Sequence, residues 1–258
     1  MLKWLRRPAD ALRGRARRGF NRCQAVRELA AAARWPKLRR DAADLAHLTF
    51  LTERMGGPVQ RDEALFLHSL VRVVQPRTIV EIGFFRGDSA FNFLRALNPD
   101  ARLYSFDIDP ACEELALERL GHDPRFVFRT RSQAELTPED VEGHLAEFVF
   151  LDAAHELGLN QATFERLVPL MASDAIVAIH DTGTVPRRLL PPRHWAHSMR
   201  EGWVGDEYEV RSDERAFVNW LLENHAEFSQ IHLHSRRVAR CGLTLLQRAT
   251  PLARPPGA

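Results

Sequence analysis

The run TIVEIGFFRGDSAFNFL, residues 78–94, changes rhythm twice. TIVEI is β-branched and apolar around a single glutamate, as in a strand buried on both faces. DSAFNFL has helical spacing, and Gly83 and Gly87 punctuate the join. A strand, a tight glycine loop and a helix are expected in that order, with Gly83 giving close backbone approach and Gly87 a turn into the helix.

The alternation continues downstream. RLYSFDI (102–108), RFVFRT (125–130), EFVFLD (147–152) and AIVAIHD (175–181) read as strands, separated by helical runs such as PACEELALERL (110–120) and NQATFERLVPLM (160–171). Strands alternating with helices imply a parallel sheet covered on both faces. Upstream, residues 60–74 read as a helix with a stripe including Leu65, Leu67, Leu70, Val71 and Val74. Pro110 suits a first helical position and Gly121 a helix C-cap. FSQIHLHS (228–235) and CGLTLLQR (241–248) are expected to close the sheet as an antiparallel pair, after a helix at 213–228. Residues 182–212, rich in Pro, Arg, His and Trp, read as a structureless functional loop or lid.

The 258 residues are 45% hydrophobic and 27% charged, which fits one main globular domain. Cys23, Cys112 and Cys241 form no C-x-x-C pair, so neither a disulfide framework nor a zinc ribbon is expected. No spanning helix, signal peptide or transit peptide is legible, and a cytoplasmic location is the expectation. The net charge of +2 is unevenly placed. Residues 1–40 carry thirteen basic and two acidic residues, or +11, and the remainder carries −9. Leu2, Leu5, Ala9, Leu12, Ala16 and Phe20 give this segment an apolar face opposite its arginines. It is expected to pack on the body or on a second subunit of a homo-oligomer, or to meet an anionic membrane or polyanion. No recognition motif for specific nucleic-acid binding accompanies it. The expected organisation is a basic helical arm at 1–57, a catalytic domain at 58–248 and a tail at 249–258.

The glycine loop is not a dinucleotide fingerprint. G-x-G-x-x-G needs a third glycine, and Glu81 before the loop would repel a pyrophosphate. E-I-G-x-x-x-G-x-S followed one strand later by an acidic residue suits a ligand with an amino-acid head, a positive sulfonium and a ribose, namely S-adenosylmethionine. VEIGFFRGDS and SFDIDP resemble the first and second motifs of the class I methyltransferases over roughly residues 60–248. The resemblance runs to two branches, the catechol O-methyltransferase-like enzymes and the macrocin and sugar O-methyltransferase group. It implies a doubly wound, mostly parallel, seven-stranded Rossmann-like α/β sheet.

By that resemblance Glu81, Gly83 and Ser89 would surround the methionine portion, with Gly87 in the same cofactor-binding loop, Asp107 would bind the ribose, and Ser132 and Gln133 the adenine. Asp152, in FLDAAHE, would sit at the cofactor edge and ligate a divalent cation, and His155 would be the base that takes the acceptor proton. His180 and Asp181, in AIHDT, occupy a pair that is Asp-Asp or Asp-Asn in related metal enzymes. The histidine departs from that pattern: Mg²⁺ prefers oxygen, whereas Mn, Fe or Zn accepts imidazole. Three readings stay open: a metal other than magnesium on Asp152, His180 and Asp181; Mg²⁺ on the two aspartates; or a metal-free site.

The expected reaction is O-methylation of a hydroxyl on a small molecule or glycan: a sugar, a polysaccharide precursor or a natural product. Arg187, Arg188, Arg193, Arg200, His194, Trp195, His197 and Trp203 of the lid are candidate acceptor contacts. Two alternatives stand beside it. One is a metal enzyme resembling the proteins named cephalosporin hydroxylases; the other is a non-catalytic cofactor-binding scaffold tuned to the basic arm.

Overall fold

The computed structural model describes residue 59 and residues 61–189, 203–234 and 241–248. The basic arm, the tail, and lid residues Arg193, His194, Trp195, His197 and Arg200 lie outside these described residues.

A seven-stranded sheet runs in the order β3 (Phe126–Thr130), β2 (Arg102–Asp107), β1 (Thr78–Ile82), β4 (Ala146–Leu151), β5 (Met171–His180), β10 (Leu243–Arg248), β9 (Phe228–Leu233). The first five strands are parallel, and β10 pairs antiparallel with both β5 and β9. Strand order reverses between β1 and β4, which opens a crevice at their C-terminal ends.

Every residue of β1 is buried, because both faces are covered. Ile79 packs on one side with Leu67, Val71, Phe93, Phe148 and Phe150. The helices on that side are α1 (Arg61–Val74), α2 (Asp88–Ala96) and α3 (Ala111–Leu120). Val80 and Ile82 face the other side with Phe164 and Phe217, which come from α4 (Leu157–Leu167) and α5 (Ser212–Asn224). Period-two alternation thus sorts one strand into two cores. Burying each Phe or Leu contributes roughly 1.5–3 kcal/mol.

Two details differ from the sequence reading. The lid expected to lack structure carries a small antiparallel sheet of β6 (Thr184–Pro186), β7 (Trp203–Val204) and β8 (Glu207–Glu209). Strands of two or three residues are too short to show alternation. Gly121 does end α3, but at φ −63°, right-handed rather than left-handed. Glycine is needed there for space, since a Cβ would stand 2.6 Å from the Leu117 carbonyl oxygen. Residues 152–156, which carry Asp152 and His155, are irregular, and α4 begins only at Leu157. Among the described residues no helix is long and apolar enough to cross a membrane.

Candidate active site

A cleft of about 580 Å³ opens at the strand-order reversal, within the range of small-molecule sites. Its floor is the glycine loop. Gly83 takes φ +99°, and a Cβ there would stand 2.2 Å from the Asp152 carbonyl oxygen. The ends of β1 and β4 can therefore approach only without a side chain. Phe85 and Gly87 are also left-handed, at φ +49° and +74°. A carboxylate holds this unusual backbone: Asp107 Oδ2 accepts from the amides of Phe84 (3.1 Å) and Phe85 (2.9 Å), and Oδ1 from the amide of Asp109 (3.0 Å). Asp107 thus orders the loop while also lining the cleft. Exposed Phe85 and Ile108 give the same end an apolar rim.

Glu81 lies beneath the loop, fully buried, with the Ser105 hydroxyl donating to its Oε2 and Ser89 close by. Burial dominates and pushes its carboxyl up to about 8, against the lowering effect of the two serines. Ser132 and Gln133 line the wall. The Gln133 amide nitrogen donates to Thr163 Oγ1 (2.8 Å) and Asn160 Oδ1 (3.2 Å), so its side chain braces α4 against the cleft.

The far end gathers the ionisable groups. His155 Nδ1 sits 3.0 Å from Glu214 Oε1, and its Nε2 is 3.5 Å from Asp181 Oδ2. Asn160 Nδ2 donates to the same Glu214 oxygen at 2.9 Å. The His155–Glu214 hydrogen bond is the main reason the His155 imidazole is held above its ordinary value, with burial opposing it. Burial in turn raises the Glu214 carboxyl. His180 is 4% exposed. Its Nδ1 lies 3.0 Å from Asp152 Oδ1 and 3.3 Å from Asp181 Oδ1, and its Nε2 3.2 Å from Glu63 Oε2. Burial alone would lower His180, but Asp152, Glu63 and Asp181 together hold it well above the usual histidine range. Burial would likewise raise Asp152, yet the adjacent His180 keeps it below the usual carboxylate value. Asp181 takes φ +60°, a left-handed conformation costing about 1–3 kcal/mol in a residue with a Cβ. That turn follows directly on His180, where β5 ends.

The structure therefore brings Gly83, Asp107, Ser132, Gln133, Asp152, His155, His180 and Asp181 into one cleft. Glu81 stands behind it. The sequence reading missed Glu63, Glu214 and Arg211, whose Nε is 3.6 Å from Asp181 Oδ2. Glu63 and Glu214 each occupy the first turn of a helix, where acidic residues are ordinary complements of the helix dipole. Only their burial sets them apart, and no local pattern encodes that.

The donors also bear on a metal. Asp152, His155 and Asp181 offer ligand atoms within 4.8 Å of one another, and His180 Nδ1 faces the two aspartates. Two carboxylates and an imidazole fit a divalent ion that accepts nitrogen.

An open sheet with this strand order and a glycine loop backed by a carboxylate is the architecture of the class I methyltransferases. Residues 80–182 match the family model described as a methyltransferase domain. Tapetum-specific methyltransferase 1 of Arabidopsis thaliana is 34% identical over 206 residues, spanning 75% of this chain and 78% of that protein. An Arabidopsis thaliana protein carrying the caffeoyl-CoA O-methyltransferase name is 30% identical over 195 residues, spanning 72% and 76%. The O-methyltransferase TomG of Streptomyces achromogenes, solved with S-adenosylmethionine, shares the fold with a TM-score of 0.54 at 22% identity, over 75% of this chain and 82% of that one. The chain belongs to the S-adenosylmethionine-dependent O-methyltransferases.

Proposed function

We propose that this O-methyltransferase acts on a hydroxyl of a sugar, polysaccharide precursor or natural product, with His155 as the base. The observation that carries this is the orientation of His155: Nδ1 is engaged by Glu214, leaving Nε2 toward the cleft beside Asp181. S-adenosylmethionine supplies a methyl group already activated on a sulfonium sulfur. The chain's part is to align the acceptor oxygen with it and to remove the proton.

Asp107 is proposed to accept the ribose hydroxyls with the lone pairs that the loop amides leave free. Gly83 brings the backbone close to the methionine portion, and Ser132 and Gln133 close the adenine end. Asp107, Asp152 and Asp181 set carboxylates along the cleft, and the sulfonium is proposed to sit beside them. At the reacting end, Asp152 and Asp181 orient the acceptor, and the hydroxyl proton passes to His155 Nε2 as the methyl–oxygen bond forms and the methyl–sulfur bond breaks. S-adenosylhomocysteine leaves. An ion held by Asp152, His180 and Asp181 would add Lewis acidity, lowering the pKa of an aliphatic hydroxyl. A second recess lined by His155, Tyr208, Val210 and Arg211 adjoins this end, and acceptor contact is assigned to it.

The test is calorimetric titration with S-adenosylhomocysteine, followed by a methyl-transfer screen over glycosides and phenols using wild type and His155→Ala. Micromolar binding by both proteins is expected, with turnover of a glycoside falling about 10²- to 10⁴-fold in the variant. Wild-type turnover in His155→Ala would remove the base assignment, and exclusive turnover of phenols would remove the sugar reading.

A further inference from the structure

The geometry points to Glu63 as an outer carboxylate that orients His180 in a nitrogen–oxygen metal site, Asp152–His180–Asp181, selective for a first-row transition ion over Mg²⁺. The inference rests on placing the acceptor at the Asp152–Asp181 end, and adds a metal class and a positioning residue.

Glu63 lies on α1, 117 residues from His180. Its two oxygens are both committed: Oε1 accepts from the Gly242 amide at 2.8 Å, and Oε2 faces His180 Nε2 at 3.2 Å. Gly242 is held in place by tight backbone contact, since a Cβ at Gly242 would stand 2.4 Å from the Gly183 Cα. The carboxylate is thus fixed by the main chain before it meets the imidazole. A carboxylate on Nε2 sets the tautomer that protonates that nitrogen and leaves the Nδ1 lone pair facing the aspartates. This is the usual arrangement behind a metal-bound histidine.

Nδ1 is 3.0 Å from Asp152 Oδ1 and 3.3 Å from Asp181 Oδ1. Donors about 2.1 Å from a common ion and at right angles to each other are about 3.0 Å apart, so each of these two separations is that of a pair of adjacent ligands. The charges point the same way. Glu63, Asp152 and Asp181 converge on one imidazole, and the nearby Arg211 is half exposed, with Nε 3.6 Å from Asp181. A divalent ion offsets this excess of negative charge far better than a single proton would, where unpaired buried carboxylates are costly.

Imidazole decides the selectivity. Mg²⁺ requires hard oxygen donors and gives up water reluctantly, whereas Mn²⁺, Fe²⁺, Co²⁺ and Zn²⁺ take histidine. A site with an all-oxygen trio would serve Mg²⁺; His180 works against it.

The experiment uses the full-length chain stripped with chelator. Binding of Co²⁺ and Mg²⁺ is measured by calorimetry and by the visible d–d spectrum of the Co²⁺ form, and S-adenosylhomocysteine binding is measured in parallel in chelator. One equivalent of Co²⁺ is expected, undisplaced by a hundredfold excess of Mg²⁺. Glu63→Gln is expected to weaken Co²⁺ about 10- to 100-fold with S-adenosylhomocysteine affinity retained, and His180→Asp to shift the Co²⁺ bands and to raise Mg²⁺ affinity. Absence of stoichiometric Co²⁺, or equal affinity for Mg²⁺, overturns the site whether or not Glu63→Gln folds. Unchanged Co²⁺ affinity in a folded Glu63→Gln overturns the positioning role, and unshifted bands in His180→Asp remove the nitrogen ligand. Failure of these with S-adenosylhomocysteine still bound would leave the methyltransferase reading standing, whereas loss of S-adenosylhomocysteine binding in the wild type would remove that reading instead.

Discussion

Glu81 sits fully buried at the centre of the sheet, with its carboxyl pushed up to about 8 by burial, against the lowering effect of Ser105 and Ser89. In the unfolded chain it titrates near 4.5, so the folded state retains a proton that the unfolded state releases. Its contribution to stability is fully present below about pH 4.5 and is lost as pH rises through about 8. At about 1.4 kcal/mol per pKa unit, the loss is a few kcal/mol. Glu81→Gln should therefore gain stability relative to wild type on going from pH 5 to pH 8.5, as measured by urea denaturation. The same difference at both pH values would mean that Glu81 is ionised in the fold. Sequence marked this residue as special, being a carboxylate in an apolar strand. Its expected place beside the ligand was not what folding gave: hydroxyls from β2 and α2 enclose it behind the loop.

At the scale of elements, the glycine loop is held by its neighbour strand. Asp107, at the end of β2, ties down two consecutive amides of the loop after β1. Asp107→Ala would free three amides as well as deleting the proposed ribose acceptor, so S-adenosylhomocysteine affinity is expected to fall at least tenfold. The global unfolding transition should shift by no more than about 1–3 kcal/mol, because the lost bonds lie at the sheet margin. Calorimetry and thermal denaturation on one preparation check both, and unchanged affinity would dispose of the Asp107 assignment. VEIGFFRGDS and SFDIDP made this loop and its acidic neighbour legible, since strand, glycine and helix signals are local. The small sheet of β6, β7 and β8 was not legible: two- and three-residue strands exist only because their partners lie alongside.

For the whole molecule, charge is divided between an arm of +11 over residues 1–40 and a body of −9. Among the described residues the cleft draws its lining from residue 82 onward; removing residues 1–40 is expected to leave S-adenosylhomocysteine affinity within about twofold. Salt-sensitive sedimentation with anionic vesicles that is lost on the deletion would assign the segment to a membrane surface; equal sedimentation by both proteins would take it out of membrane attachment. The sequence by itself determined the doubly wound sheet and its antiparallel close, because period-two strands and glycine turns are written within a few neighbouring positions. Tertiary structure alone decided that Glu63 backs His180 and Glu214 backs His155. Those pairs join residues 117 and 59 positions apart, and helix-start glutamates acquire a role only when the packing of α1 and α5 against the sheet buries them beside an imidazole.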